Sequence, residues 1–107
     1  MTGLDAFRLL LRAHHLPEPE TEVVFAPPRK WRADYLWRSP RKVIVECEGG
    51  LYSRGRAGMA HATPSAILRD MARANAAQLE GFLYFRYTPQ QLASGEAVLQ
   101  LAHVLRG

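Results

Sequence analysis

Residues 42–50 read Lys-Val-Ile-Val-Glu-Cys-Glu-Gly-Gly. The Val-Ile-Val run suits a pleated, half-buried strand, and the two glycines end it. Residues i and i+2 of a strand project from one face, so Glu46 and Glu48 emerge together at the end of an apolar segment. Neighbouring carboxylates repel unless a cation lies between them. The spacing admits two readings, a cation site or a pair of solvated strand-end residues.

Upstream, Ser39-Pro40-Arg41 makes a turn, and 31–37 reads as the preceding strand. Its Trp31, Ala33, Tyr35 and Trp37 fall on one face, suited to a core or a dimer interface. Arg32, Asp34 and Leu36 fall on the other. If the two strands pair, Asp34 approaches Glu46. A further strand, 21–26, ends at Pro27-Pro28. Residues 4–15 place Leu4, Phe7, Leu10 and Leu11 at helical spacing, and Leu16-Pro17-Glu18-Pro19-Glu20 stops that helix.

Downstream, 51–62 has no periodicity and carries Arg54, Arg56 and His61, the composition of a mobile basic loop. Thr63-Pro64 has the chemistry of an N-cap followed by proline at the first helical position. The spacing predicts a helix to about Glu80, with Ile67, Leu68, Met71, Ala72 and Leu79 on its buried side and Gly81 as its stop. Residues 82–87 are apolar on both faces, which predicts a central strand. Thr88-Pro89 opens another helical segment, Gly95 interrupts it, and 96–105 closes as a helix. The order α-β-β-β-α-β-α predicts a single α/β (α+β) domain: a mixed four-stranded sheet flanked by helices.

Composition narrows the class. A hydrophobic fraction of 48% in 107 residues supports one globular core rather than disorder. No apolar run can span a bilayer, and the first residues lack the pattern of a signal peptide, so the expected location is the cytoplasm, or a host cytoplasm for a phage protein. The single cysteine, Cys47, excludes an internal disulfide framework and a cysteine-rich zinc site. Net charge is +4, and twelve of the fourteen cationic residues are arginines. Arginine's planar fork matches phosphate oxygens, although a GC-rich genome or a hot habitat also favours it, and the lone Asn75 fits a thermophile.

Asp34, Glu46 and Glu48 at one sheet edge would make a hard oxygen site for Mg²⁺, with Mn²⁺ as a substitute. Arg29, Lys30, Arg32, Arg54 and Arg56 could hold a DNA backbone beside it. Such a pairing suits phosphodiester hydrolysis.

Four pieces in order carry a family resemblance. They are Arg32-Ala33-Asp34-Tyr35, Glu46-Cys47-Glu48-Gly49-Gly50, the Asp70-Met-Ala-Arg73-Ala-Asn75-Ala-Ala helix with His61 before it, and Arg86-Tyr87-Thr88-Pro89. From about Leu16 to Leu92 the chain resembles the PD-(D/E)XK nuclease superfamily, in particular its small phage and bacterial endonucleases. The resemblance implies a restriction-endonuclease-like α-β-β-β-α-β core. It implies Asp34, Glu46 and the backbone carbonyl of Cys47 as metal ligands, and His61 near the scissile phosphate or as general acid. Asp5 matches the family's acidic position on the first helix only loosely, and also suits a helix N-terminal charge. One departure stands out: the family's strand-end lysine is Glu48 here. Glu48 would then bind a second metal or act as general base, or a cation would come from Arg73, Lys30 or Lys42. Asp70 and Arg73, three apart on a helix, also suit a plain surface ion pair.

One-domain chains of this type resemble Holliday junction resolvases and very-short-patch repair endonucleases. The expectation is a Mg²⁺-dependent, structure-selective endonuclease, most specifically a junction resolvase acting as a homodimer. The alternatives are a general nicking or repair endonuclease, or a catalytically inactive DNA-binding relic of the fold.

Overall fold

The Val-Ile-Val run forms the strand expected of it. The computed structural model describes residues 3–48 and 63–106, with side chains from Ala6 onward, so the basic segment 51–62 lies outside the described residues. Helix α1 (Gly3–Ala13) is followed by strands β1 (Glu20–Val24), β2 (Arg32–Trp37) and β3 (Val43–Cys47). Helix α2 (Pro64–Leu79), strand β4 (Leu83–Tyr87) and helices α3 (Pro89–Ser94) and α4 (Glu96–Leu105) complete the order. The fold is α+β, with one mixed four-stranded sheet and four helices. Among the described residues, no helix is long and apolar enough to cross a membrane.

The sheet runs β1-β2-β3-β4, antiparallel at the first two pairings and parallel at the last. Because the side-chain period is two, each strand divides its residues between two layers. On one side Tyr35, Trp37, Val43, Val45 and Tyr87 pack with Phe7, Leu11, Leu92, Val98, Leu101 and Leu105 from α1, α3 and α4. On the other side Leu36 and Ile44 meet Ala77 of α2 and Phe82. Tyr35 and Trp37 therefore serve the core. Trp31 sits before the strand, stacked on Phe25 with the Arg29 guanidinium 5.0 Å from its ring centroid.

Helix boundaries follow local chemistry. The Thr63 hydroxyl accepts from the Ala66 N–H at 3.1 Å, as an N-cap should. At the other end of α2, Gly81 takes φ +86°. Its N–H donates to the Gln78 carbonyl and that of Phe82 to the Ala77 carbonyl, the paired bonds of a Schellman stop. Gly95, at φ +95°, likewise breaks α3 from α4. Thr88 and Gln91 form a reciprocal capping box at the start of α3. Thr88→Ala removes half of it and is expected to cost about 1 kcal/mol in urea denaturation. An unchanged midpoint would show that the box contributes nothing.

Two expectations are corrected. Strand β4 is an edge strand, not a central one. Its apolarity reflects helices over both faces of the sheet, which says nothing about lateral position. Helix α2 is turned round: Ile67, Leu68, Met71 and Leu79 are exposed, Leu79 at 88%, and Ala77 is the buried contact. Asn75 is also exposed.

Candidate active site

Antiparallel pairing of Leu36 with Ile44 and of Tyr35 with Val45 brings the start of β2 beside the end of β3. Asp34 and Glu46 are the next residues outward on the α2 side, so the sheet register itself sets the two carboxylates side by side. Parallel pairing places Arg86 of β4 next to Glu46 from the other direction. A pocket of about 290 Å³ opens there, lined by Asp34, Glu46, Cys47, Glu48, Asp70, Arg73, Tyr84 and Arg86.

Glu46 is the one charged residue in the buried set among the described residues, 5% exposed. A buried carboxylate requires a partner. Arg73 reaches down from α2 and donates through Nε to Glu46 Oε1 at 2.9 Å, and through Nη2 to the same oxygen and to the Arg32 carbonyl. Burial still dominates and pushes the Glu46 carboxyl up to about 7; the Arg73 charge opposes this, and Asp34, close enough to share a proton, adds to it. Burial likewise raises Tyr84 to about 12 and lifts the Cys47 thiol above its ordinary value, so Cys47 presents a protonated, unreactive sulfur. The Cys47 N–H donates to Asp34 Oδ2 at 2.7 Å, which fixes that carboxylate at the pocket mouth.

No protein-family model, curated protein or solved structure matches this chain. The chemistry of the site therefore rests on its own geometry.

Of the residues singled out from sequence, Asp34, Glu46, Cys47, Glu48 and Arg73 all line the pocket. They do not form the three-carboxylate cluster expected. Glu48 lies one residue past β3 and turns to Arg86, with Arg86 Nε 2.7 Å from Glu48 Oε1. Among the described residues, no three His, Cys, Asp or Glu side chains gather closely enough to hold a metal ion. Asp34 and Glu46 are the pair that converges. Arg73 and Asp70 are not ion-paired with each other; Arg73 holds Glu46, and Asp70 lies 3.6 Å from Arg86.

The cationic candidates separate by position. Arg29, Lys30 and Arg32 are exposed around the β1–β2 connection, at the sheet end that carries the pocket. The Arg32 side chain lies 3.9 Å from Glu22, an exposed pair worth little. Lys42 immediately precedes β3 and is thus at the opposite end, donating to the Glu80 carbonyl with Nζ over the Phe82 ring, and it cannot serve the pocket. Arg54, Arg56, His61 and the side chain of Asp5 lie outside the described residues. Arg86, Tyr84 and the pocket position of Asp70 were not anticipated. For Arg86 the signal was present in the Arg86-Tyr87-Thr88-Pro89 piece, but its direction follows only from the β3–β4 register.

Proposed function

We propose that this chain is a Mg²⁺-dependent, structure-selective DNA endonuclease, most specifically a Holliday junction resolvase that acts as a homodimer. The observation that carries the reading is the convergence of Asp34 with the buried Glu46 in a pocket where, among the described residues, four carboxylates face two guanidiniums. That excess of carboxylates, with hard oxygen donors at its centre, fits a small divalent cation.

Asp34 and Glu46 would hold Mg²⁺, and Mn²⁺ in its place. When bound, the ion supplies a lowered pKa for water and a positive charge for the phosphate. The protein's own groups do the remaining work. Cys47 N–H keeps Asp34 aimed into the pocket, and Arg73 neutralises Glu46 when no other cation is present. Arg29, Lys30 and Arg32 offer guanidinium and ammonium donors to the DNA backbone at the same sheet end. The reaction adds the oxygen of water to phosphorus and breaks one P–O ester bond; the proton lost by water goes to solvent, and the departing oxygen gains one.

A second reading has its own support. Arg73 already occupies Glu46, as it would in a DNA-binding module that has lost catalysis. Labelled four-way junctions and linear duplexes, incubated with the protein in Mg²⁺ or Mn²⁺, separate the readings. A resolvase gives paired, symmetric nicks in the junction, cuts linear duplex poorly, and elutes as a dimer on gel filtration. Equal cutting of junction and linear DNA indicates a general nicking or repair enzyme. Binding with no cutting in either metal indicates the inactive module.

A further inference from the structure

The resemblance implies a lysine just past β3 that supplies a cation to the scissile phosphate, but residue 48 is glutamate and that position carries no cation. We propose that Arg86 supplies it from the neighbouring strand as a catalytic residue, and that Glu48 is the anchor of Arg86 rather than a metal ligand or a base. The inference rests on the nuclease reading above.

Three observations carry it. First, parallel pairing fixes Arg86 beside Glu46, and its guanidinium ends against Glu48, 2.7 Å from Nε to Oε1. The cation is thus returned to the end of β3 by a partner strand. Second, Arg86 has donors to spare. A guanidinium carries five N–H groups. Glu48 takes Nε, Asp70 lies 3.6 Å from Nη2, and Nη1 has no partner among the described residues. Third, Arg86 is reachable: its side chain is 43% exposed, against 26% for Arg73. Arg73 is committed to Glu46 and the Arg32 carbonyl, and Lys42 faces the other end of the sheet. Between the two cations that line the pocket among the described residues, Arg86 is the one with donors free to meet a phosphate.

Chemistry limits the role. Arginine does not release its proton at any working pH, so Arg86 cannot take a proton from water. It can donate to a non-bridging phosphate oxygen and offset the charge that grows there as water adds. Held by Glu48, the fork is already aimed, so little side-chain freedom is lost when the phosphate arrives.

The test compares wild type with R86Q, R86K, R86A and the double variant E48K/R86Q. In Mg²⁺, R86Q is expected to lower the single-turnover cleavage rate by about 10²- to 10³-fold, the loss seen on removing one charge-stabilising donor. DNA affinity in EDTA should stay within about threefold, because one phosphate contact among several is lost. Thermal midpoints and the Mn²⁺-induced rise in midpoint should remain. R86K should keep part of the rate. E48K/R86Q, which places a lysine just past β3, should regain about tenfold or more over R86Q, and guanidinium ion should raise the rate of R86A. A purely structural ion pair predicts no such recovery, since the double variant lacks both its partners. Cleavage by R86Q within about threefold of wild type overturns the inference alone. So does a lack of recovery in both the double variant and guanidinium-treated R86A. Wild-type protein that cuts no DNA overturns the nuclease reading and this inference with it.

Discussion

Asp34→Asn and Glu46→Gln are each expected to lower single-turnover cleavage by about 10³-fold or more while leaving DNA binding intact. Each change removes one negative charge and keeps the shape. In D34N the new amide oxygen can still accept the Cys47 N–H that now reaches Asp34 Oδ2 at 2.7 Å. In E46Q the new amide oxygen can still accept from Arg73 at the place of Oε1. Both variants keep the hydrogen bonds that hold the site, and a thermal melt on each separates loss of chemistry from loss of fold. Removing one of two facing carboxylates also relieves their mutual repulsion, so E46Q should melt no lower than wild type above pH 7. Binding to labelled junction should hold or tighten, because a negative charge has left the pocket. The decisive comparison is cleavage and filter binding on the same preparations. Full cleavage by E46Q would remove the buried carboxylate from the chemistry, and with it the proposed function.

The convergence of Asp34 and Glu46 is legible in the sequence because it depends only on strand parity and a short turn. Their pairing needs no long-range information beyond Ser39-Pro40-Arg41 reversing the chain. The caps are legible for a similar reason: Thr63-Pro64, Gly81 and Thr88-Pro89 act on the backbone within a few residues. The orientation of α2 is not. Periodicity identifies an apolar stripe, but Glu46 decides which side of the helix faces the sheet. A buried carboxylate needs a guanidinium over it, and Arg73 is on the side of α2 that carries Ala77. Seating Arg73 turns Leu68, Met71 and Leu79 outward. The exposed stripe is thus a consequence of the site. The role of Arg86 is hidden on related grounds. Its neighbour across the sheet is fixed by a parallel crossover through α2, a relation that no local spacing encodes.

The pH dependence of stability should expose Glu46 directly, with a divalent ion reversing it. Burial raises the folded-state pKa of Glu46 to about 7 from an ordinary value of 4.5. Between those values the folded protein holds a proton that the unfolded chain has released. Stability therefore falls as pH rises through that window and levels off above about 7, by an amount on the order of 3 kcal/mol. Other groups contribute to the same curve, so the difference between wild type and E46Q is the quantity to measure. Wild type should lose thermal midpoint from pH 5 to pH 8 relative to E46Q. A divalent ion acts in the opposite sense. On the proposed function it would bind the ionised carboxylates of the folded state only, so Mn²⁺ at about a hundred times its dissociation constant should add roughly 2.7 kcal/mol at pH 8. For a domain of this size that is about 10 °C in the midpoint. At pH 5 the proton occupies the site and the same Mn²⁺ should add little. In E46Q the rise should be lost at both pH values. An equal Mn²⁺ effect at pH 5 and pH 8, or an undiminished one in E46Q, would place the ion somewhere other than between Asp34 and Glu46. A wild-type curve parallel to that of E46Q would mean that Glu46 folds already charged, its burial fully offset by Arg73, and that no proton competes with the metal.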